Sequence, residues 1–400
     1  MGVGFFALGA AMGSSPMPIG VLFSTEGPYA TLGREGYFGA MTAIAEINDA
    51  RQLPFELRPE VRDPRGNTEA YAALCREIIA VGGARFVVGC TTSWSRKEVI
   101  PVLERSGAQL WYPCPYEGFE GNDHVVYVGA CPNQHIVPLL DYVLPRHGSN
   151  PMLVGSNYIW GWETSRIARD YVERQGGTVK AERYLPLGDT DVAHLIEEVR
   201  QKRPDFIVNT LIGPSSEAFV AAYGELSRTD TTFTAEHRPI INCNWTESEI
   251  AVLGGKAVGH LNVAPYFQSM ATPENAAFLA TAARFAPRQT HVSAFFAQAY
   301  AAVQVIARGI AAAGNDSTVA VLAEAKATAC PSPLGPLRIH AETNHAILTP
   351  HIGRAGADGA FHIIASASVP VVPDPYLAHP QAAPQQTSGR PGSAHLRVVK

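Results

Sequence analysis

The residues best suited to chemistry crowd into RFVVGCTTSWSRKEVIPVLERSGAQLWYPCPYEGFE, from Arg85 to Glu120. Four hydroxyls fall within five residues (Thr91, Thr92, Ser93, Ser95), and Trp111, Tyr112, Pro113, Pro115 and Tyr116 follow one helix length later. Hydroxyls offer uncharged hydrogen bonds, and rings and prolines offer apolar walls. That combination is suited to holding a small, polar, uncharged molecule rather than transforming one. Ser93 has two readings that can coexist: a helix N-cap, or a hydroxyl facing a ligand carbonyl or amide beside a free N–H at the helix start.

Further along, Gly155-Ser156-Asn157-Tyr158-Ile159-Trp160-Gly161-Trp162 sets three aromatics within five residues, which suits an opposite wall. Thr210, Gly213 and the stretch Asn244 to Thr246 add hydrogen-bonding groups. Among nearby carboxylates, Glu98 and Glu104 are read as solvated. Glu247 and Glu249 open a helix, where the dipole favours negative charge, so capping is their expected role. Were either to face the ligand, the ligand would carry a cation.

Signals for catalysis or cofactors are weak. Gly2-Val3-Gly4 with Ala7 imitates a dinucleotide fingerprint, but no strand precedes it. The sequence has no Walker A run, no G-x-S-x-G and no His-x-x-x-His pair, and the six cysteines contain no C-x-x-C. We therefore expect no catalytic residue, metal or cofactor, and read most of the six as buried free thiols, which suits a reducing compartment.

These loops need elements to position them. From Pro18 the chain alternates strand and helix: strands at Pro18–Phe23, Phe55–Val61, 85–89, 109–112 and 124–128, with helices at Gly36–Ile47, Thr68–Val81 and 95–106. The pattern restarts with a helix at Gln134–Arg146. Strands follow at Pro151–Gly155, Thr178–Tyr184, Phe206–Thr210, Pro239–Cys243 and Gly259–Pro265, with helices at Glu163–Gln175, Val192–Lys202, Ser216–Ser227 and Thr246–Leu253. Strand–helix–strand units imply right-handed crossovers and parallel sheets, and open sheets bind ligands outside the carboxyl ends of their strands. Helices Pro273–Phe285 and Val292–Ala313 and short strands at 335–340, 347–353 and 360–366 return to complete both halves.

The expected fold class is α/β, two doubly wound parallel-sheet lobes joined by several crossovers. The expected division is a leader at 1–17, a first lobe from 18–133 plus about 266–345, a second from 134–265 plus about 346–376, and a disordered tail at 377–400. The tail from Ala378 lacks acidic residues and is rich in Pro, Gln, Ser and Gly. With 46% hydrophobic residues, 17% charged and a net charge of -5, the chain has material for two cores and no basic footprint for nucleic acid. No run of 18 apolar residues suggests a membrane span. The first sixteen residues have the small, apolar character of an export signal but lack its positive start, so the cytoplasm is expected, with the periplasm as the alternative.

The segments IGVLFSTEGPYA, RDPRGN, RFVVGC-x-x-S-x-x-RK, YP-x-PYEGFE, GSNYIW, VAPYF and PDPY, spread over about residues 18–376, carry a resemblance. The chain resembles type I periplasmic-binding-protein folds. Within them it is most similar to the amide-sensing negative regulators of aliphatic amidase operons (AmiC-type) and to urea and short-chain amide binding proteins. The resemblance implies an interlobe ligand held by Ser93, Tyr112, Cys114, Pro115, Tyr158, Trp160 and Thr246, with Thr91 nearby. Thr91 stands where the amide sensor has an aromatic, Cys114 replaces a threonine, and Trp160 replaces a tyrosine, so the ligand need not be acetamide. The implied partners are a small neutral amide or urea and an RNA-binding antiterminator protein, or an ABC permease if the chain is exported, with homodimerisation left open.

Overall fold

The computed structural model describes residues 15–288, 290–378 and 396–398. The glycines at 2 and 4 and most of the expected leader lie outside them. The first half runs β1 (Ser15–Leu22), α1 (Ala30–Ala50), β2 (Phe55–Arg62), α2 (Ala70–Ala80), β3 (Phe86–Gly89), α3 (Ser93–Ser106), β4 (Gln109–Tyr112) and β5 (Val125–Tyr127). Its five strands form one parallel sheet in the order β2-β1-β3-β4-β5. Every residue of β3, β4 and β5 is buried, as expected when helices cover both faces. β1 begins three residues ahead of the expected lobe boundary, so residues 15–17 belong to the sheet rather than to a leader.

The second half runs α4 (Ile136–His147), β6 (Met152–Ser156), α5 (Ile159–Arg174), β7 (Ala181–Leu185), α6 (Ala193–Lys202), β8 (Ile207–Thr210), α7 (Pro214–Thr229), β9 (Ile240–Asn242), α8 (Glu247–Leu253) and β10 (Leu261–Ala264). Helices α9 (Pro273–Phe285), α10 (Ala294–Ala313) and α11 (Thr318–Ala327) follow. The last strands are β11 (Arg338–Ile339), β12 (Ala346–Ile347), β13 (His351–Ala355), β14 (Phe361–Ala367) and β15 (Leu396–Val398). The second sheet has the order β15-β14-β13-β10-β9-β8-β6-β7, and β11 pairs with β12 in a separate ribbon. The chain thus passes between lobes three times: after β5, after β10 and before β13.

Helices α9 and α10 pack on α1. A Cβ at Gly39 would lie 2.1 Å from the Phe296 carbonyl oxygen, so α1 and α10 meet backbone to backbone and only glycine fits there. Helix α10 is the one helix among the described residues long and apolar enough to cross a membrane, although Gln298, Gln304 and Arg308 interrupt its apolar run. It is 83% buried in the protein, so the fold already accounts for its apolar surface.

Four features differ from expectation. Strands β13 to β15 pair antiparallel, so the second sheet is mixed rather than all parallel. The short connection from β13 to β14, residues 356–360, permits only a hairpin. The expected strand 347–353 is split at Pro350, which cannot donate to a ladder. Helix α11 was not expected. Val321 is buried while Val319 is 78% exposed, so its apolar residues mark no single face for periodicity to detect. Within the expected disordered tail, Leu396–Val398 pairs with β14. An edge strand's free N–H and C=O groups can hold a passing segment without a buried core.

Candidate ligand-binding cleft

At the carboxyl ends of β3 and β4 the backbone turns sharply. Cys90 holds φ at +64°, in the left-handed region that non-glycine residues rarely enter. Thr92 then caps α3: its hydroxyl accepts from the Ser95 N–H at 3.2 Å, and the Ser95 hydroxyl accepts from the Thr92 N–H at 3.1 Å. The cap is therefore Thr92, not Ser93. Ser93 is the first helical residue, and its hydroxyl is free of capping.

Between the lobes lies a narrow cavity, partly open to solvent, with about 320 Å³ of space between its walls. The first lobe lines it with Tyr29, Leu32, Thr91, Thr92, Ser93, Tyr112, Cys114, Pro115 and Phe295, and the second with Tyr158, Trp160, Ile212 and Asn244. Not one of these side chains is charged. The lobes are drawn together: Trp94 of α3 meets Tyr158 with ring centroids 5.1 Å apart, and the Arg166 guanidinium of α5 sits 4.8 Å from the Phe119 ring centre.

Seven of the eight residues expected at the site line this cavity: Thr91, Ser93, Tyr112, Cys114, Pro115, Tyr158 and Trp160. Thr246 does not. Its hydroxyl accepts from the Glu249 N–H at 3.3 Å and caps α8, and Asn244, two residues earlier, takes the place at the wall. Glu249 closes the same capping box by accepting from the Thr246 N–H at 2.9 Å, while Glu247 accepts from the Gln268 N–H at 2.9 Å. Glu249 serves the helix start, Glu247 ties α8 to the loop after β10, and neither lines the cavity. Tyr29, Leu32, Ile212 and Phe295 escaped sequence reading because they are ordinary apolar residues in helices and loops distant in the chain.

Two expected ligand groups are already spent. The Tyr112 hydroxyl donates to the Thr91 carbonyl at 2.8 Å, so this residue presents its ring. The Cys114 thiol points at the Cys90 carbonyl, 3.5 Å away. Four atoms on lining residues have no partner although buried: Thr91 Oγ1, Trp160 Nε1, and Asn244 Nδ2 and Oδ1. An unmet buried polar atom costs about 1–3 kcal/mol, so these four are the groups a ligand can repay. A larger groove, about 1070 Å³, lies among α1, α9 and α10, away from the strand ends. There the Glu46 carboxylate already accepts from Thr281, Tyr300 and Gln304.

Behind the uncharged wall stands a charged shell. Arg96 is fully buried, its guanidinium 4.7 and 4.8 Å from the ring centres of Tyr112 and Tyr116. It donates to Glu120 at 2.7 Å and to Glu117 at 3.2 Å. Lys97 and the Tyr127 hydroxyl also donate to Glu120. Burial opposes ionisation of Glu120, but Arg96 and Lys97 outweigh it and hold its carboxyl at about 2. Glu117, 1% exposed, accepts from the Ser93 hydroxyl. Glu117 and Glu120 are the two acidic residues of the YP-x-PYEGFE segment. Their role depended on Arg96 being buried, which the sequence does not show.

Beside the cleft a second seam joins the lobes, with about 770 Å³ of empty space between α1 and α8. Glu35 of α1, together with Glu247 and Glu249 of α8, is buried there. Burial pushes Glu35 up to about 7 and Glu247 and Glu249 up to about 8, and Glu35 raises both partners further. All six cysteines are free and buried, as expected, and burial raises every one of their thiols. Among the described residues no cluster of His, Cys, Asp or Glu is placed to hold a metal.

Comparison with known proteins agrees with this architecture. The family model for the periplasmic binding protein domain matches residues 17–382. A Leu/Ile/Val-binding protein homolog from Brucella abortus is 22% identical over 332 residues, covering 82% of this chain and 84% of the relative. A solute-binding protein of an ABC transporter from Rhodopseudomonas palustris, solved with p-hydroxybenzoic acid, superposes with a TM-score of 0.78 at 22% identity, over 87% of this chain and 95% of that one. The branched-chain amino acid binding protein LivJ from Streptococcus pneumoniae, solved with isoleucine, superposes with a TM-score of 0.73 at 18% identity, over 88% and 98%. The two-lobed α/β fold with a cleft between sheets, and a family match across nearly the whole described chain, make this protein a ligand-binding member of the type I periplasmic binding protein family rather than an enzyme.

Proposed function

We propose that the protein is the substrate-binding component of an ABC importer and captures a small, uncharged, polar solute, a short amide or urea, between its lobes. The observation that carries this reading is the cavity wall. It has no charged side chain, and it presents four unpartnered polar atoms of both hydrogen-bonding senses. A carbonyl oxygen can accept from Trp160 Nε1 or Asn244 Nδ2, and an N–H can donate to Thr91 Oγ1 or Asn244 Oδ1. The rings of Tyr112, Tyr158 and Trp160 enclose an apolar tail.

Closure follows from the same accounting. Shutting the cleft without ligand strands these polar atoms; a ligand meeting two of them returns about 2–6 kcal/mol. That is comparable to the few kcal/mol that separate the states of a hinged protein. A permease can then read occupancy from the closed surface. For a solute of four heavy atoms the ceiling of about 1.5 kcal/mol per atom limits the total to about 6 kcal/mol, or a Kd of roughly tens of micromolar.

This reading replaces the cytoplasmic regulator with an RNA-binding antiterminator partner that the resemblance favoured. The relatives named as ABC-transporter solute-binding proteins support the importer and, with it, the periplasm. The free thiols, which by themselves suit a reducing compartment, are tolerated in an oxidising one because burial keeps them unreactive. A second reading, a branched-chain amino acid, is favoured by the names of the relatives. It requires a partner for the ammonium group, and Glu249 is engaged by the Thr246 N–H and Glu247 by the Gln268 N–H. Thermal-shift screening separates the two, since a ligand that binds only the folded state raises Tm. A shift with acetamide, propionamide or urea supports the uncharged cleft. Shifts confined to leucine, isoleucine and valine overturn it.

A further inference from the structure

The Ser93 hydroxyl lies between two environments. One side faces the cavity, and the other meets Glu117. Glu117 is locked by the Arg96 guanidinium at 3.2 Å, which is itself clamped by Glu120 and the rings of Tyr112 and Tyr116. A carboxylate paired in this way can only accept, and a serine hydroxyl has one proton. That proton goes to Glu117, leaving only lone pairs toward the cavity.

We propose that Glu117 is a positioning residue that sets the polarity of the site, making Ser93 an acceptor toward the cleft. The ligand group seated against Ser93 must then donate an N–H, and a carboxylate there is refused. A carboxylate oxygen would meet the Ser93 lone pairs with no proton from that hydroxyl, and the negative charge of Glu117 would stand one side chain away. The shell as a whole is balanced: Arg96 and Lys97 offset Glu117 and Glu120, so no excess positive charge is left to draw an anion in. Ser93 and Glu117 are 2% and 1% exposed, so little water is left to screen the contact. The proposal deepens the uncharged-solute reading and rests on it.

The test compares ligands of one shape that differ only in this group: propionamide with propionate, isobutyramide with isobutyrate, and benzamide with benzoate, titrated calorimetrically. The native protein should prefer the amide of each bound pair by at least about ten-fold. Glu117→Met removes the acceptor behind Ser93 and frees its hydroxyl to turn toward the cleft, so the preference should fall to within about three-fold. Should the single variant not fold, Arg96→Met with Glu117→Met removes both buried charges together, a change that is often neutral for stability, and the same narrowing is expected. Ser93→Ala should weaken the amides and leave the carboxylates unchanged. The proposal is overturned if the native protein binds a carboxylate as tightly as its amide. It is overturned equally if a folded Glu117 variant keeps the native ratio, even where amides bind well and the uncharged-solute reading stands. If no member of any pair binds at millimolar concentration, that reading and this proposal fall together.

Discussion

The lobes meet in two places of opposite character. In the cleft, the lining side chains are all uncharged and four polar atoms are unmatched. In the seam beside it, three carboxyls from the two lobes are buried against one another. Each surface is hidden on closing, but the cost differs in kind. The cleft's cost is in unmade hydrogen bonds, which a ligand can supply. The seam's cost is in charge, which only protons can remove. The cleft thus selects what is bound, and the seam sets the pH at which binding is strongest.

Removing the charge behind the cleft should have the largest effect. Arg96→Ala leaves Glu117 buried without its cation, and breaking such a pair costs about 3–5 kcal/mol. Denaturation in guanidinium chloride measures this, urea being a candidate ligand. A loss below about 1 kcal/mol would mean that the shell is solvated and that wall and shell do not differ in charge burial. Next comes the wall itself. Tyr158→Ala removes the ring that crosses the cleft to Trp94, and a buried aromatic anchor of this kind contributes about 2 kcal/mol or more to binding. Calorimetry should show the loss in affinity with little change in stability.

The seam is probed by pH. Carboxyls raised to about 7 and 8 in the closed form, from an ordinary value near 4.5, take up protons on closing. Their support for the closed state is complete below about 4.5 and is lost as pH rises through 7 to 8. Affinity for an uncharged ligand, which does not itself titrate, should therefore fall as pH rises from about 4.5 to about 8 and level off above that. Arg34, Glu217, Arg288 and His291 also line the seam. Glu249→Gln, which keeps an acceptor for the Thr246 N–H, should flatten the profile. An unchanged profile would assign the pH dependence elsewhere. The smallest effect on stability is expected at Thr92→Ala, which removes the α3 cap at about 1 kcal/mol.

The same contrast explains what could be read in the sequence. Strands β3 and β4 are continuous apolar runs ending in hydroxyls and aromatics, so both the sheet edge and seven cleft residues were legible from residue type and position. Thr246 was misplaced because a Thr-x-x-Glu capping box and a ligand hydroxyl look alike in one dimension. Asn244 was legible only as one member of a polar stretch. Ser93 was recognised, but its direction was not, because that depends on Glu117 and on an arginine buried between two tyrosines. Helix α11 and the antiparallel end of the second sheet were missed where periodicity is faint or a proline divides the signal. Short-range pattern marks where strands end; charge pairing across tens of residues is settled only by packing.

The most direct test of the uncharged cleft is calorimetric titration at pH 6 of the native protein with acetamide, propionamide, urea, leucine and 4-hydroxybenzoate. The account predicts saturable micromolar binding by at least one uncharged solute and none by leucine or 4-hydroxybenzoate. Tighter binding of leucine or 4-hydroxybenzoate than of every uncharged solute would contradict it.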